Sequence, residues 1–287
     1  PMILLDGKAL SEKIKEEVKV EVAQLVEEKH ITPGLAVILV GSDAASATYV
    51  ASKAKSCKNA GIYSVVHEMP DSITQEELLE TIEMMNKNPK LDGILVQLPL
   101  PKHIDTTIVL EAINPLKDVD GFHPYNVGRM VSNLDSFLPA TPFGVMRMFE
   151  EYGIELSGKN VVVIGSSDIV GKPMASLLIN AKATVTVCNS RTKDLASHTK
   201  AADIVVIAVG VPYLLKADMI KEGAIVIDVG INRLDTGKLV GDADFEDCKS
   251  KCSHITPVPG GVGPMTIGML LKNTLKAAKL RDKREAK

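Results

Sequence analysis

A serine, a tyrosine and a lysine in the first third of the chain are spaced so that one helix would carry them on one face. Ser46, Tyr49 and Lys53 follow an i, i+3, i+7 spacing beside an apolar stripe that includes Val50 and Cys57. Lys53 would therefore lie at the border of the buried face, where desolvation lowers its pKa and allows proton exchange near neutral pH. Tyr49 would hold it in place. The spacing fits equally a lysine that extends along apolar surface to water, beside a packed tyrosine.

Further polar groups follow a predicted strand at Gly93–Leu98. Gln97 stands near the carboxyl end of that strand, where ligand-contacting residues of α/β sheets lie. A buried amide needs hydrogen-bonding partners, and a ligand is one candidate. Asp118 is expected to form a turn, whereas turn formation is not the favoured interpretation of Asp120. His123 has no clear carboxylate partner, so a structural role is expected for it.

The segment TPVPGGVGP at residues 256–264, which we name the glycine loop, precedes the last predicted helix. Proline stiffens a backbone, and glycine permits another group to approach it closely. Such a segment forms either a tight turn or a backbone shaped against a flat ligand. Its residue types do not decide between the two.

A turn in the second half of the chain has the outline of a dinucleotide site. Val161–Ile164 predicts a strand, and Gly171 followed by Lys172 and Pro173 predicts the start of a helix. Unpaired N–H groups and the positive end of the helix dipole would suit a pyrophosphate. The turn reads GSSDIVG, however, so it lacks the middle glycine of G-x-G-x-x-G and is one residue longer. The motif alone fits a plain strand-to-helix turn as well.

The end of the next predicted strand, Thr184–Cys188, indicates which dinucleotide would bind. An NAD site carries an acidic residue there for the ribose 2′-hydroxyl. This chain has Ser190 and Arg191 instead, and a hydroxyl with a guanidinium suits a 2′-phosphate. The pattern favours NADP, unless Arg191 is a solvated surface residue. Asp194 is expected to cap a helix rather than bind ribose.

Apolar runs alternate with amphipathic stretches through most of the chain, which predicts an α/β fold with parallel sheets. Strands are expected at 35–40, 64–67, 93–98, 161–164, 184–188, 204–209 and 224–229, and helices at 45–60, 74–86 and 264–283. Two α/β domains with a cleft between them are expected, since ligands commonly bind at domain boundaries. Residues 1–138 plus 265–287 would form the catalytic domain, and 139–264 a Rossmann-like nucleotide-binding domain.

Composition narrows the class of protein. A chain of 287 residues fits about two domains, and 3% aromatic residues imply an aliphatic core. The net charge of -3 gives no bulk attraction to nucleic acid or anionic membranes. Without a signal peptide or a spanning apolar run, a soluble cytoplasmic protein is expected. The four cysteines are expected to be free thiols with no metal bound, although Cys248 and Cys252 could share a helical face.

Seven segments together resemble the bifunctional methylenetetrahydrofolate dehydrogenase/methenyltetrahydrofolate cyclohydrolase family. They lie at 40–41 with 46–55, and at 93–101 (GILVQLPLP), 117–126 (KDVDGFHPYN), 163–174 (VIGSSDIVGKPM), 184–195 (TVTVCNSRTKDL), 227–232 (IDVGIN) and 256–266 (TPVPGGVGPMT). The order of QLPLP and PGGVGPMT is highly specific. The resemblance implies a homodimer that oxidises 5,10-methylene-tetrahydrofolate with NADP and hydrolyses the product to 10-formyl-tetrahydrofolate in the same cleft. Such a step belongs to one-carbon metabolism and purine biosynthesis.

The resemblance also implies roles for individual residues. Lys53 would be the catalytic lysine, assisted by Tyr49 and Gln97, and all three would contact the substrate. Asp120 would bind the pterin ring. The pocket for that ring would be lined by Pro259, Gly260 and Gly261, and NADP would contact Gly165, Ser166, Ser167, Ile169, Ser190, Arg191 and Ile231. Many relatives carry arginine at the position of Ser166, which leaves more of the phosphate binding to Arg191. Asn189 and Ala140 replace the family's frequent His and Cys, so neither of those side chains is essential.

Three alternatives stay open. A dehydrogenase-only or cyclohydrolase-only member would share the fold. A short-chain reductase also uses a Tyr-x-x-x-Lys pair, which Tyr49 and Lys53 match. In that family, however, the pair follows the nucleotide turn, whereas here it precedes the turn by more than a hundred residues. A non-catalytic sensing module would bind NADPH without any folate turnover.

Overall fold

The computed structural model describes residues 1–285, which form two compact units. Unit 1 comprises Pro1–Glu12, Met130–Leu134 and Pro139–Thr266, and unit 2 comprises Lys13–Arg129, Asp135–Leu138 and the described chain from Ile267 onward. The expected domain at 139–264 lies within unit 1. Residues 1–12, expected in the other domain, also cluster with unit 1. The reason is that a short strand at Ile3–Leu4 pairs in parallel with His254–Ile255.

The described residues form eleven strands and eleven helices. Strands β1 to β11 are Ile3–Leu4, Gly34–Val40, Tyr63–Met69, Gly93–Val96, Asn160–Ile164, Thr184–Cys188, Ile204–Ile207, Ile225–Asp228, Asn232–Arg233, Leu239–Val240 and His254–Ile255. Helices α1 to α11 are Gly7–Lys29, Ala44–Ala60, Gln75–Lys87, Thr106–Ala112, Pro124–Val131, Ala140–Glu151, Gly171–Asn180, Leu195–Thr199, Phe245–Cys248, Met265–Lys279 and Arg281–Glu285. Two 3₁₀ turns lie at Pro115–Lys117 and Ala217–Met219.

Unit 2 is built on a three-stranded parallel sheet with the order β3-β2-β4. All seven residues of the central strand β2 are buried, as its continuous apolar run predicts for a parallel strand covered on both faces. Ile38 and Ile94 from the sheet pack with Ile82 from α3 in one aliphatic core. Helix α2 follows β2 after a short turn, and its first residues therefore lie at the carboxyl edge of this sheet.

Unit 1 contains a six-stranded sheet with the order β1-β11-β8-β7-β5-β6, in which every pairing is parallel. Strand β5 has β6 on one side and β7 on the other. The chain therefore adds β6 on one side of β5 and then crosses to add β7 on the opposite side. Ligands of open α/β sheets bind beyond the carboxyl ends of strands at such a switch point. This topology confirms the predicted Rossmann-like sheet and places the Gly165 turn at its switch point.

The predicted strands are present, although three of them end earlier than expected. β4 stops at Val96; the Gln97 N–H still donates to the carbonyl of Ile38 at 2.9 Å. Pro99 has no N–H and could not continue the ladder.

The expected single helix at 264–283 is wrong, because α10 and α11 are separate helices on either side of Leu280. Two arginines of α11 are held by one buried carboxylate. Arg281 donates to both carboxylate oxygens of Asp92 at 2.9 and 2.7 Å, and Arg284 bonds the same carboxylate. Asp92 is fully buried. A buried carboxylate requires such partners, and these hold α11 in place.

Candidate functional site

Lys53 and Gln97 meet at the carboxyl edge of the unit 2 sheet. Lys53 Nζ donates a 2.9 Å hydrogen bond to Gln97 Oε1. Helix α2 presents Lys53 from the end of β2, and Gln97 follows β4, which is the neighbour of β2 in the sheet. Lys53 is partly buried whereas Lys55 is exposed. The helical periodicity therefore predicted correctly which lysine lies at the border of the core.

Burial displaces the pKa values of the two ionisable groups of this cluster. Burial lowers the pKa of Lys53, and the nearby Asp120 carboxylate opposes part of that change. Burial also raises the pKa of Asp120 to about 7, although Lys53 acts in the opposite direction. The pKa values of the amine and the carboxyl are therefore displaced toward each other, which is common where a site exchanges protons. Such a pair is suited to moving a proton.

Tyr49 does not hold Lys53 as expected. Its side chain is 59% exposed, and no hydrogen bond joins it to Lys53 within residues 1–285. Gln97 is the group that holds the lysine. Contact of Tyr49 with substrate stays a prediction.

Asp118 and His123 have structural roles, as expected. Asp118 is buried, and its Oδ2 accepts from the backbone N–H of His123 at 2.8 Å and from Asn126 Nδ2 at 3.0 Å. His123 Nδ1 accepts from the N–H of Tyr125 at 3.0 Å, and its other ring nitrogen lies 3.2 Å from the carbonyl of Glu111. These bonds fix the turn that carries Asp120. Asp120 itself remains available for a ligand.

The Asp120→Asn substitution is expected to remove part of the pH dependence of stability. The folded pKa of Asp120 is about 7 and its ordinary value is 3.8, so between these values the folded chain binds a proton that the unfolded chain has released. The free energy of unfolding therefore falls as pH rises through this window. Urea denaturation at about pH 5 and about pH 8 should show a larger loss in the wild type than in Asp120→Asn. Equal losses would contradict the raised pKa.

The turn after β5 has two positions that only glycine can occupy. Gly165 has a φ of 119°, and a Cβ there would lie 2.3 Å from the carbonyl oxygen of Ala208. A Cβ on Gly171 would lie 2.1 Å from the carbonyl oxygen of Gly165. These are the close approaches for which the first and last fingerprint glycines are needed. The GSSDIVG turn therefore has the close strand-to-helix packing of a dinucleotide site despite its missing middle glycine.

Unpaired backbone N–H groups were expected at the start of α7. This expectation is wrong for the first two residues of the helix, whose N–H groups have partners. Ser167 Oγ accepts from the N–H groups of Val170 at 3.1 Å and Gly171 at 3.3 Å, and its carbonyl accepts from Lys172 at 2.9 Å. Within the described chain, the backbone N–H groups of Ser166, Asp168 and Ile169 have no partner. The free donors are therefore in the turn itself, because the serine caps the helix.

The loop after β6 presents Arg191 with its backbone fixed and its guanidinium free. The Arg191 N–H donates to Asn189 Oδ1 at 3.0 Å, and the Asn189 N–H donates to Thr192 Oγ1 at 2.8 Å. Ser190 and Arg191 are both exposed, and in residues 1–285 the guanidinium has no partner. Asp194 occupies the N-cap position of α8, but its side chain makes no capping bond, so that expectation is only half correct.

Asp228 and Asp242 have buried carboxylates that accept hydrogen bonds from the loops after β7 and β8. They were not predicted from the sequence. Asp242 is fully buried and accepts from the N–H groups of Val209 at 2.8 Å and Gly210 at 3.0 Å and from Asn232 Nδ2 at 2.9 Å. Asp228 lies beside it, and burial raises the pKa of Asp228 to about 6. Their partners come from loops separate in sequence, so no local pattern could have revealed them.

These carboxylates fix the loop of Ile231, a predicted NADP contact. Asp228 Oδ1 accepts from the N–H of Gly230 at 3.0 Å, and Ile231 is 57% exposed. A Cβ on Gly263 would lie 3.1 Å from Ile231 Cδ1. The predicted cofactor contact therefore adjoins the glycine loop, which carries predicted substrate contacts. Together with the turn and Arg191, these features fit a phosphorylated dinucleotide.

The glycine loop forms a tight turn, which was the first of the two interpretations of its sequence. Gly260 has a φ of 101°, and Gly261 is buried while Pro259 is exposed. Whether Pro259, Gly260 and Gly261 also line a pterin pocket stays a prediction.

The four cysteines are buried free thiols. Burial raises the pKa of Cys57 and Cys248 to about 12 and that of Cys252 to about 11. The protonated thiol is a poor nucleophile and a poor metal ligand. In the described part of the chain, no three His, Cys, Asp or Glu residues are placed to hold a metal ion.

No helix within residues 1–285 is long and apolar enough to cross a membrane.

Comparison with protein families gives two matches that together span most of the chain. The family model for the tetrahydrofolate dehydrogenase/cyclohydrolase catalytic domain matches residues 5–120. The model for the NAD(P)-binding domain of the same proteins matches residues 139–282. The bifunctional protein FolD of Aliarcobacter butzleri (strain RM4018) is 88% identical over 284 residues, which cover 99% of each chain.

Solved structures give the same result. The bifunctional dehydrogenase/cyclohydrolase FolD of Campylobacter jejuni has a TM-score of 0.96 and 57% identity, covering 98% of this chain and 100% of its own. The Trypanosoma brucei dehydrogenase-cyclohydrolase, solved with NADP and an inhibitor, has a TM-score of 0.92 and 42% identity, covering 97% of each chain. An NAD-dependent dehydrogenase from Saccharomyces cerevisiae, at 23% identity and a TM-score of 0.81 over both full chains, shares the fold.

Proposed function

Because the chain belongs to the tetrahydrofolate dehydrogenase/cyclohydrolase family, we propose that Lys53, Gln97 and Asp120 carry the proton chemistry of its hydrolytic half-reaction. The chain is a bifunctional enzyme. It oxidises 5,10-methylene-tetrahydrofolate with NADP and hydrolyses the methenyl product to 10-formyl-tetrahydrofolate. The observation that supports the residue roles is the 2.9 Å bond from Lys53 to Gln97. It joins a lysine of lowered pKa to a fixed acceptor at a sheet edge.

The dehydrogenase half-reaction needs positioning more than it needs acid or base. The chemistry that NADP supplies when bound is acceptance of a hydride from the bridging carbon of the folate. The residues that we propose would hold it are the free N–H groups of the turn, Ser190, Arg191 and Ile231. Their task is to fix the reacting atoms within a near-attack distance.

The cyclohydrolase half-reaction needs a group that both accepts and returns a proton. Water adds to the bridging carbon of the methenyl compound, and it loses a proton as the new C–O bond forms. The neutral amine of Lys53 accepts that proton, and Gln97 Oε1 then stabilises the ammonium. The ammonium next protonates N5 as the bond from N5 to the bridging carbon breaks, which leaves the formyl group on N10. The second proton of the water leaves to solvent, so the charge balances.

Asp120 has a separate part in this proposal. A carboxyl with a pKa of about 7 can accept hydrogen bonds from the N–H groups of a pterin ring once a proton is released. Its partial negative charge also moderates the pKa of Lys53. Asp120 therefore binds the ring and keeps the lysine able to bind a proton at neutral pH.

Steady-state assays of the wild-type chain test the function directly. We expect turnover of methylene-tetrahydrofolate with NADP, a higher kcat/KM with NADP than with NAD, and hydrolysis of methenyl-tetrahydrofolate without any nucleotide. Activity in only one assay would identify a monofunctional member. NADPH binding without folate turnover would identify a sensing module.

We propose further that the chain acts as a homodimer in the cytoplasm, where its product would supply purine biosynthesis. The support is the family resemblance alone. Light scattering after size-exclusion chromatography should give twice the chain mass of 30.8 kDa. A mass equal to one chain at assay concentration would contradict the dimer.

A further inference from the structure

The first turn of α1 holds the glycine loop at two points within unit 1. The N–H groups of Gly7 and Lys8 donate to the carbonyl oxygen of Gly260 at 3.0 and 3.1 Å. One turn later, Ser11 Oγ donates to the carbonyl oxygen of Pro264 at 2.7 Å. Ser11 is 1% exposed, so its hydroxyl has no access to solvent or to a ligand. Its bond serves the loop alone.

At the first of these points, Gly7 lies so close to the glycine loop that no side chain could be accommodated there. A Cβ on Gly7 would lie 1.6 Å from the carbonyl oxygen of Gly261 and 2.5 Å from its carbonyl carbon. Both atoms belong to backbone, which cannot move aside as a flexible side chain can. The helix start is itself fixed, because Asp6 Oδ1 accepts from the N–H of Ala9 at 3.0 Å and Tyr152 Oη accepts from the N–H of Asp6 at 2.9 Å.

The loop is also held where it begins. Thr256 is buried, and its Oγ1 accepts from the backbone N–H of Asp228 at 2.7 Å. The glycine loop is therefore tied at its start, its middle and its end, while Pro259 at its tip remains exposed. A segment held at three points with an exposed tip is a rigid surface rather than a mobile lid. Rigid backbone of this kind is what a flat ligand ring requires.

We infer that Gly7 and Ser11 are positioning residues for the substrate: they set the height and orientation of the Pro259–Gly261 wall against the pterin ring. This inference rests on the proposed function, since it assigns that wall to the folate. Neither residue touches the ligand. Each acts through the carbonyl or backbone that it holds, so its loss should weaken folate binding, while the turn after β5, Arg191 and the reacting groups Lys53 and Gln97 stay intact.

Ser11→Ala is the decisive variant, because it removes one hydroxyl without adding volume. We expect the KM for methylene-tetrahydrofolate to rise about tenfold, with kcat and the KM for NADP changed by less than about twofold. A buried carbonyl that loses its donor shifts or recruits water, and only the loop would respond. Gly7→Ala should raise the same KM further. Should that variant fail to fold by circular dichroism, Ser11→Ala still decides.

Thr274→Ala is the matched control. Thr274 is fully buried and donates to the carbonyl of Leu270 at 2.9 Å, so the variant also loses a buried hydroxyl bond, but one away from the loop. Its two KM values should match the wild type. An unchanged folate KM in Ser11→Ala, or an equal rise in both KM values, overturns the inference. Lack of folate turnover by the wild type would instead overturn the proposed function.

Discussion

Lys53→Met is expected to lower cyclohydrolase kcat by about 10²- to 10⁴-fold, the usual contribution of a positioned acid–base group. Methionine keeps most of the unbranched side chain that packs along α2, but it can neither accept nor donate the proton. The fold should survive, because Lys53 and Gln97 are both only partly buried and water can replace the amine at Gln97 Oε1. NADP affinity should be unchanged, since the residues proposed to bind it belong to unit 1.

Lys55→Met is the control for this substitution. It removes the same charge from the same helix two residues further on, where the side chain is exposed. Hydrolysis of methenyl-tetrahydrofolate should be followed without nucleotide, together with NADPH titration and a thermal unfolding curve for each variant. Near-full hydrolysis by Lys53→Met would remove Lys53 from the proposed mechanism. Equal losses in both variants would indicate that net positive charge, and not proton transfer, is what matters.

Local sequence pattern predicted the parts of the site that depend on one element. Helical periodicity separated Lys53 from Lys55, and strand position placed Gln97 at the sheet edge. Their meeting followed because β2 and β4 are neighbours in a parallel sheet. The apolar runs likewise predicted strands in both units. A parallel strand that is covered on both faces has a nearly continuous apolar sequence, and few other structures give that pattern.

Contacts between distant segments were not predictable in this way. Asp242 finds its donors at Val209, Gly210 and Asn232, and nothing near it in sequence requires a buried carboxylate. Ser167 was expected to contact NADP, which stays a prediction, and its bonds to the N–H groups of Val170 and Gly171 were not foreseen. Both cases share one physical cause. A polar group that leaves water must find partners wherever the fold brings them, and the sequence pattern does not encode that place.

The same limit applies to the N-terminal residues. Residues 1–12 were expected in the catalytic domain. They cluster with unit 1 because β1 adds to the edge of its sheet and Gly7 approaches the glycine loop. Glycine at position 7 was a weak signal for this contact, since many positions tolerate glycine. Its necessity becomes visible only when the facing backbone is known. The predicted cleft between the domains stays a prediction.

Arg191→Ala is expected to raise the KM for NADP about 10- to 100-fold while leaving the KM for NAD within about twofold. A charged hydrogen bond contributes about 1.5–3 kcal/mol, and each 1.4 kcal/mol is about a factor of ten. The guanidinium has the freedom that a 2′-phosphate ligand needs, because no partner within residues 1–285 occupies it. Ser166 in the turn after β5 brings no charge to share the task. The selectivity for NADP should therefore depend mainly on one side chain.

Lys193→Ala is the matched control, because it removes an exposed cation from the same loop without removing the planar fork that bonds phosphate oxygens in pairs. A general electrostatic attraction would weaken in both variants and would decrease with added salt, since exposed charges are screened over about 8–10 Å at ordinary ionic strength. A direct bond would be lost only in Arg191→Ala. Comparing kcat/KM for NADP and NAD at low and high salt separates the two. Equal losses for both nucleotides would mean that Arg191 does not read the 2′-phosphate, and the preference for NADP would then have to come from the turn after β5.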